Sequence, residues 1–182
     1  MKHLVLITLF NIFCTTNIFA QADSVKEPEP HYFYLAANMN AAVNTTGKLN
    51  KRISPSLEFG CTFGIFDLGI ASGRINLLKN DSSWFLELRP TINIFSKGRF
   101  SEALCIGGGY KFNSSEKFLA ELCNSVNFNI SDFWCVSFLQ GFYYFEGVYS
   151  NSNETYFGLN VTLNFIKKNG KQDRRKNKSL LN

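Results

Sequence analysis

The sequence predicts an all-β chain, an antiparallel up-and-down transmembrane β-barrel of eight strands, and three observations carry that expectation. From Tyr32 to Ile166, apolar residues alternate with small or polar ones at a period of two, with turn residues breaking the pattern at intervals. Successive strand side chains point to opposite faces, so a helix would scatter the same set around its axis. The face opposite the apolar one is mainly Gly, Ser, Asn, Ala and Thr, with few charges. Aromatic residues make up 15% of the chain and gather toward both ends of the strands when these are laid head to tail. Membrane barrels carry such aromatic girdles at the two interfaces.

Ahead of the alternating region, Lys2 precedes an apolar run, Leu4 to Phe13, interrupted by Thr8 and Asn11 and followed by Ile18-Phe19-Ala20. This is the pattern of a signal peptide cleaved after Ala20. A run of about ten residues falls short of the ~20 that a spanning helix needs. Cys14 lacks the preceding small residue that lipoprotein processing requires. The expected organisation is a signal peptide over 1–20, a periplasmic N-terminal segment over 21–31, the barrel over 32–166 and a basic disordered tail over 167–182.

The net charge of +5 is a property of that tail, where Lys167, Lys168, Lys171, Arg174, Arg175, Lys176 and Lys178 face Asp173 alone. With the tail and Lys2 set aside the body is mildly acidic, so no nucleic-acid partner is expected. A solvated end is the simplest account of the tail, and contact with anionic headgroups or peptidoglycan is the alternative.

The strands follow in order. Phe33, Leu35, Ala37, Met39, Ala41 and Val43 share a face in the first (Tyr32 to Asn44), and Ile53, Pro55, Leu57, Phe59, Cys61 and Phe63 in the second (Ile53 to Gly64). Phe66, Leu68 and Ile70 mark a third from Ile65 to Leu77. Trp84, Leu86, Leu88, Pro90, Ile92 and Ile94 mark a fourth from Trp84 to Phe95, where the proline removes a ladder donor. The fifth (Arg99 to Phe112) carries Glu102 on its apolar side. The sixth (Phe118 to Ile130) is regular, the seventh (Phe133 to Phe145) has aromatics on both faces, and the eighth (Tyr156 to Ile166) recovers full alternation. The odd-numbered connections are expected to be the longer ones and to face outside, with centres near Gly47, Asp81, Ser115 and Ser152.

A soluble exported barrel that binds a small apolar ligand would alternate too, with its apolar face inward. Two features favour the membrane: the polar face is too small and neutral for a water-facing surface, and the apolar side chains would overfill an eight-stranded interior. The sparse inward charges, Glu58, Asp67, Glu87, Arg89, Lys111 and Glu121, are expected to pair in the lumen, because isolated buried charges are costly.

In its leader, strand count and apolar-out pattern from Tyr32 to Ile166, the chain resembles the small eight-stranded outer-membrane proteins of the OmpA/OmpX type. The resemblance implies the outer membrane of a Gram-negative bacterium, a lipid environment, and a last strand, Tyr156 to Phe165, that serves as the signal to the barrel-assembly machinery. Here a basic tail follows that strand. Deacylases of this architecture use a His with a Ser and an acidic partner, whereas this chain has only His3, in the leader, and His31, at the edge of the barrel. No catalytic, metal or cofactor site is therefore expected, and Gly107-Gly108-Gly109, mid-strand with no following helix, implies close packing or a kink and not a phosphate loop. Four cysteines follow the leader without zinc-site spacing. Two of them, Cys105 and Cys123, face the lumen and flank the turn at 113–117 almost symmetrically, as candidates for a disulfide or as two buried thiols. The expected role is non-enzymatic, structural or surface-interacting, through short outer loops that meet envelope or surface partners.

Overall fold

Alternation of this kind is stable only when every backbone group finds a partner, and a sheet achieves that by closing on itself. In the computed structural model, which describes residues 31–43, 49–76, 82–148 and 151–165, the eight strands pair in sequence order and close into a barrel. They are β1 (Tyr32–Val43), β2 (Leu49–Phe63), β3 (Phe66–Asn76), β4 (Ser82–Lys97), β5 (Phe100–Phe112), β6 (Glu116–Asn129), β7 (Trp134–Gly147) and β8 (Asn151–Phe165). Every pairing is antiparallel, and β1 meets β8 from Phe33↔Phe165 to Val43↔Thr155, so no edge remains. The expectations for segments 1–30 and 166–182, and for loop centres at Gly47 and Asp81, lie outside the described residues.

β1, β3 and β5 match the expected spans to within a residue at each end, and the other five strands run further at one end or both than the apolar alternation predicts. β2 starts at Leu49, β6 at Glu116, and β7 and β8 extend to Gly147 and from Asn151. Ser152, expected at a loop centre, thus lies within β8 opposite Phe145. The physical reason is that ladder pairing needs backbone partners, whereas the apolar pattern stops where the apolar belt stops. The expected contrast in loop length also weakens, since the odd-numbered connections 113–115 and 148–150 are shorter than the even-numbered 130–133. The tightest turns, at 64–65 and 98–99, place Gly64 and Gly98 at φ of 67° and 63°, where a glycine avoids strain.

The apolar rows face outward. Leu57, Met39 and Ile106 are 60–61% exposed, and Phe118 is 64% exposed. The two aromatic girdles are built by register: Phe33↔Phe165, Phe63↔Phe66 and Phe100↔Phe128 at the end bearing the two tight turns, Trp84↔Phe112 and Tyr110↔Phe118 toward the other. This overturns the soluble-carrier expectation, which needs that face inward. Pro90 is also outward and lies in the stretch of the β4–β5 ladder between Leu88↔Gly108 and Thr91↔Cys105. A bulge follows between Asn93 and Phe95 and turns Ile94, expected outward, into the wall of the lumen. Glu102 does share the outer wall with Leu104 and Ile106, and Asn124 donates to its carboxylate at 3.0 Å. Gln140 stands in register beside Asn124, so these polar side chains lie together and not scattered through the belt.

Replacing Leu57 by Lys puts a charge in the middle of the apolar belt. We expect a loss of about 2–4 kcal/mol in urea titrations of the barrel folded into lipid vesicles, the cost of a cation at the bilayer midplane. A loss within ~0.5 kcal/mol, typical of a water-facing surface, would show that this wall does not meet hydrocarbon.

Candidate functional site

An eight-stranded barrel encloses little more than its own inward side chains. In this barrel they divide the lumen into three levels. The middle one centres on Arg89 of β4, whose Nη1 lies 2.8 Å from Glu58 Oε2 of β2 and whose Nε lies 2.8 Å from Glu121 Oε2 of β6. Each carboxylate has a tyrosine on its other oxygen: Tyr34 of β1 donates to Glu58 Oε1 at 2.7 Å, and Tyr156 of β8 donates to Glu121 Oε1.

Both rings need space on a neighbouring strand. A Cβ at Gly60 would overlap the ring of Tyr34, and one at Gly141 would overlap that of Tyr156. Gly107, in register with Glu121, does the same for the Glu87 carboxylate, which a Cβ there would meet. The glycines are thus mortises for the inward side chains, and Gly107 supplies the close-packing role expected of the triple-glycine run.

Above this level, toward the odd-numbered connections, the lumen is filled by large side chains. Ile75, Phe85, Leu119, Tyr143 and Phe145 are buried in one cluster with Tyr156, and the Tyr143 and Tyr156 rings stack at 4.5 Å between centroids. Lys111, fully buried, lies 3.7 Å from Glu116 and 4.2 Å from the centroid of the Phe145 ring. Ser152 donates to the same Glu116 carboxylate at 2.7 Å.

Below the Arg89 level a polar cavity of about 360 Å³ reaches the rim at Gly64, Ser96, Asn129 and Asn164. Its wall includes Thr62, Thr91, Asn127 and Asn160. Asp67 lies there and accepts from Asn93 at 3.1 Å. His31 sits at that rim, its ring 5.6 Å from Phe63 and its Nδ1 3.4 Å from the Thr62 carbonyl oxygen.

Of the charges predicted from sequence, the structure joins Glu58, Arg89 and Glu121 and packs Glu87 against them. It holds Asp67 in the cavity wall and gives Lys111 a partner, Glu116, outside the predicted set. Cys105 and Cys123 are direct cross-strand partners, and both thiols are free. The composition of the polar face did not announce the filled upper half, whose aromatics sit on the side expected to be small and neutral. The doubled aromatics of β7 were the available signal: Tyr144 faces out while Tyr143 and Phe145 fill the lumen.

No protein-family model matches the chain, and no curated protein matches it. Among solved structures, the crystal structure of Neisserial surface protein A (NspA) is 10% identical, covering 76% of this chain and 98% of that one, with a TM-score of 0.48. A de novo designed transmembrane β-barrel is 12% identical over 76% and 99%, with a TM-score of 0.50. The crystal structure of Ail, the attachment invasion locus protein of Yersinia pestis, is 14% identical over 77% and 100%, with a TM-score of 0.40. The likeness to the designed barrel is one of fold. The chain has the architecture of a small outer-membrane-type β-barrel.

Arg89→Met should leave Glu58 and Glu121 in the lumen without their shared cation and lower stability by about 3–5 kcal/mol in urea, the usual result of removing one partner of a buried pair. The filled upper half should also stop ions. We expect no unitary conductance steps from the purified barrel in planar bilayers, and steps on replacing Tyr143, Phe145 and Tyr156 together by Ala.

Proposed function

We propose that this chain is a non-enzymatic outer-membrane β-barrel of a Gram-negative envelope, a rigid spanning body that contributes to the membrane's structure and presents short loops to surface or envelope partners. The observation that carries the proposal is the continuous outward apolar belt bounded by aromatic girdles on a closed barrel. A closed barrel is one of only two architectures that satisfy every backbone group within hydrocarbon. The leader-like first twenty residues supply the route across the inner membrane. The pattern of Tyr156 to Phe165 supplies a handle for the barrel-assembly machinery, and outer-membrane lipid is the principal partner.

The absence of a catalytic role in this proposal is supported by the lumen chemistry. Glu58 and Glu121 are engaged by Arg89 and the tyrosines, so they are structural counter-ions. His31 stands at the rim against Phe63 and the Thr62 backbone. The tail's positive charge, carried by the seven basic residues from Lys167 to Lys178, needs no nucleic-acid partner in this reading. With the chain termini of the barrel on the periplasmic side, the connection at 113–115 faces outside and that at 130–133 faces the periplasm.

Both location and orientation are open to one experiment. An epitope inserted at Ser115 should be stained by antibody on intact cells, and one inserted at Asp132 only after permeabilisation. The unboiled protein should fractionate with outer membranes and migrate differently from the boiled one. Recovery as a periplasmic protein that needs no detergent would overturn the proposal, and staining at Asp132 alone would reverse the orientation.

A further inference from the structure

The register places Cys105 of β5 directly opposite Cys123 of β6. Both side chains point inward, are 5% and 1% exposed, and line the polar cavity below Arg89. We propose that these two cysteines are a redox-closing pair, joined into a disulfide by exchange with a disulfide donor that enters the cavity from its open rim.

Directly opposed residues of an antiparallel ladder have Cα atoms about 4.5–5.5 Å apart. That lies inside the ~4.4–6.8 Å spanned by protein disulfides, so closure requires side-chain rotation and no strand movement. In the thiol state the two sulfurs point to different neighbours. Cys105 Sγ is 4.0 Å from Glu121 Oε2, and Cys123 Sγ is 3.5 Å from the Asn124 carbonyl oxygen.

The other cysteines are positioned as built-in controls. Cys135 borders the same cavity but is six residues along β7 from Gly141, the partner of Cys123, or about 20 Å at the rise of a strand. Cys61 stands opposite Phe33 on the outer wall. The pairing is therefore unique on geometry, which a count of four thiols in the sequence does not establish.

The chemistry balances as two successive exchanges. The Cys105 thiolate, the more exposed of the two, attacks one sulfur of the donor and expels the other as a thiolate, leaving a mixed disulfide. The Cys123 thiolate then attacks the Cys105 sulfur and expels the donor's second thiolate. Two protein thiols lose two protons and two electrons, and the donor disulfide is reduced to two thiols. An exported barrel meets such donors in an oxidising compartment. The bond ties β5 to β6 across their hairpin and removes two thiols from the cavity wall.

The test uses the full-length barrel folded in detergent, incubated with oxidised glutathione, acid-quenched, denatured, alkylated with iodoacetamide and weighed with and without prior reduction. The expected result is two fewer alkyl groups in the unreduced sample, with Cys61 and Cys135 alkylated and a peptide linking Cys105 to Cys123. The Cys123→Ser variant, checked for heat-modifiable migration, should stop at a glutathione adduct on Cys105. Alkylation of both Cys105 and Cys123 before reduction overturns the proposal, as does a linked peptide joining any other pair or a glutathione adduct that persists on Cys105 in the unaltered barrel.

Discussion

One guanidinium holds the interior of this barrel together. Arg89 reaches two carboxylates from strands on either side of its own, and each carboxylate is held by a tyrosine from β1 or β8, where the sheet closes. The single set of contacts thus ties β1, β2, β4, β6 and β8 across the lumen, independently of the ladder that joins neighbours. Charged groups this deeply buried are tolerated because Arg89 is paired with both carboxylates, and removing the shared cation would leave those carboxylates uncompensated.

The rest of the lumen is arranged around that level. Glycines opposite Tyr34, Tyr156 and Glu87 supply the volume that an eight-stranded interior lacks. The aromatic cluster with Lys111 and Glu116 fills the space toward the odd-numbered connections, while Asn, Ser and Thr line an open cup on the other side. The interior is consequently one-sided, with a plugged half and a half that holds the polar cavity. A molecule entering from the rim with the tight turns meets neutral hydrogen-bonding groups and the Asp67 carboxylate, and then the salt-bridged floor. The two cysteines stand in that wall, and among the described residues the cavity opens at the rim with the tight turns.

The outer wall obeys the opposite rule. Its rows need only be apolar, so register there affects which aromatics meet and little else. Polar groups on that wall are few and mostly engaged: Asn124 donates to Glu102 with Gln140 in register beside it, and Ser72 donates to the Phe85 carbonyl oxygen. Pro90 is accommodated next to the glycine run, and the bulge beyond it turns Ile94 inward.

Strand number, sheet closure and the outward direction of the apolar rows were legible in the chain because a two-residue period is local and is repeated eight times. The inward charges were legible for the same reason, each being the odd polar residue on a known face. Which of them meet was not. Arg89 finds Glu58 and Glu121, 31 and 32 residues away, and Lys111 finds Glu116, because stagger between strands and the closure of β1 on β8 decide which side chains arrive at one height in the lumen. Alternation already put Tyr143 and Phe145 opposite Phe142 and Tyr144, but that they fill the upper lumen with Tyr156 and Phe85 is settled only by closure. The sequence by itself determined what kind of wall this chain builds, since facing is set residue by residue along a strand. Only the tertiary structure decided what that wall encloses, since contacts across a lumen depend on the register of all eight strands together.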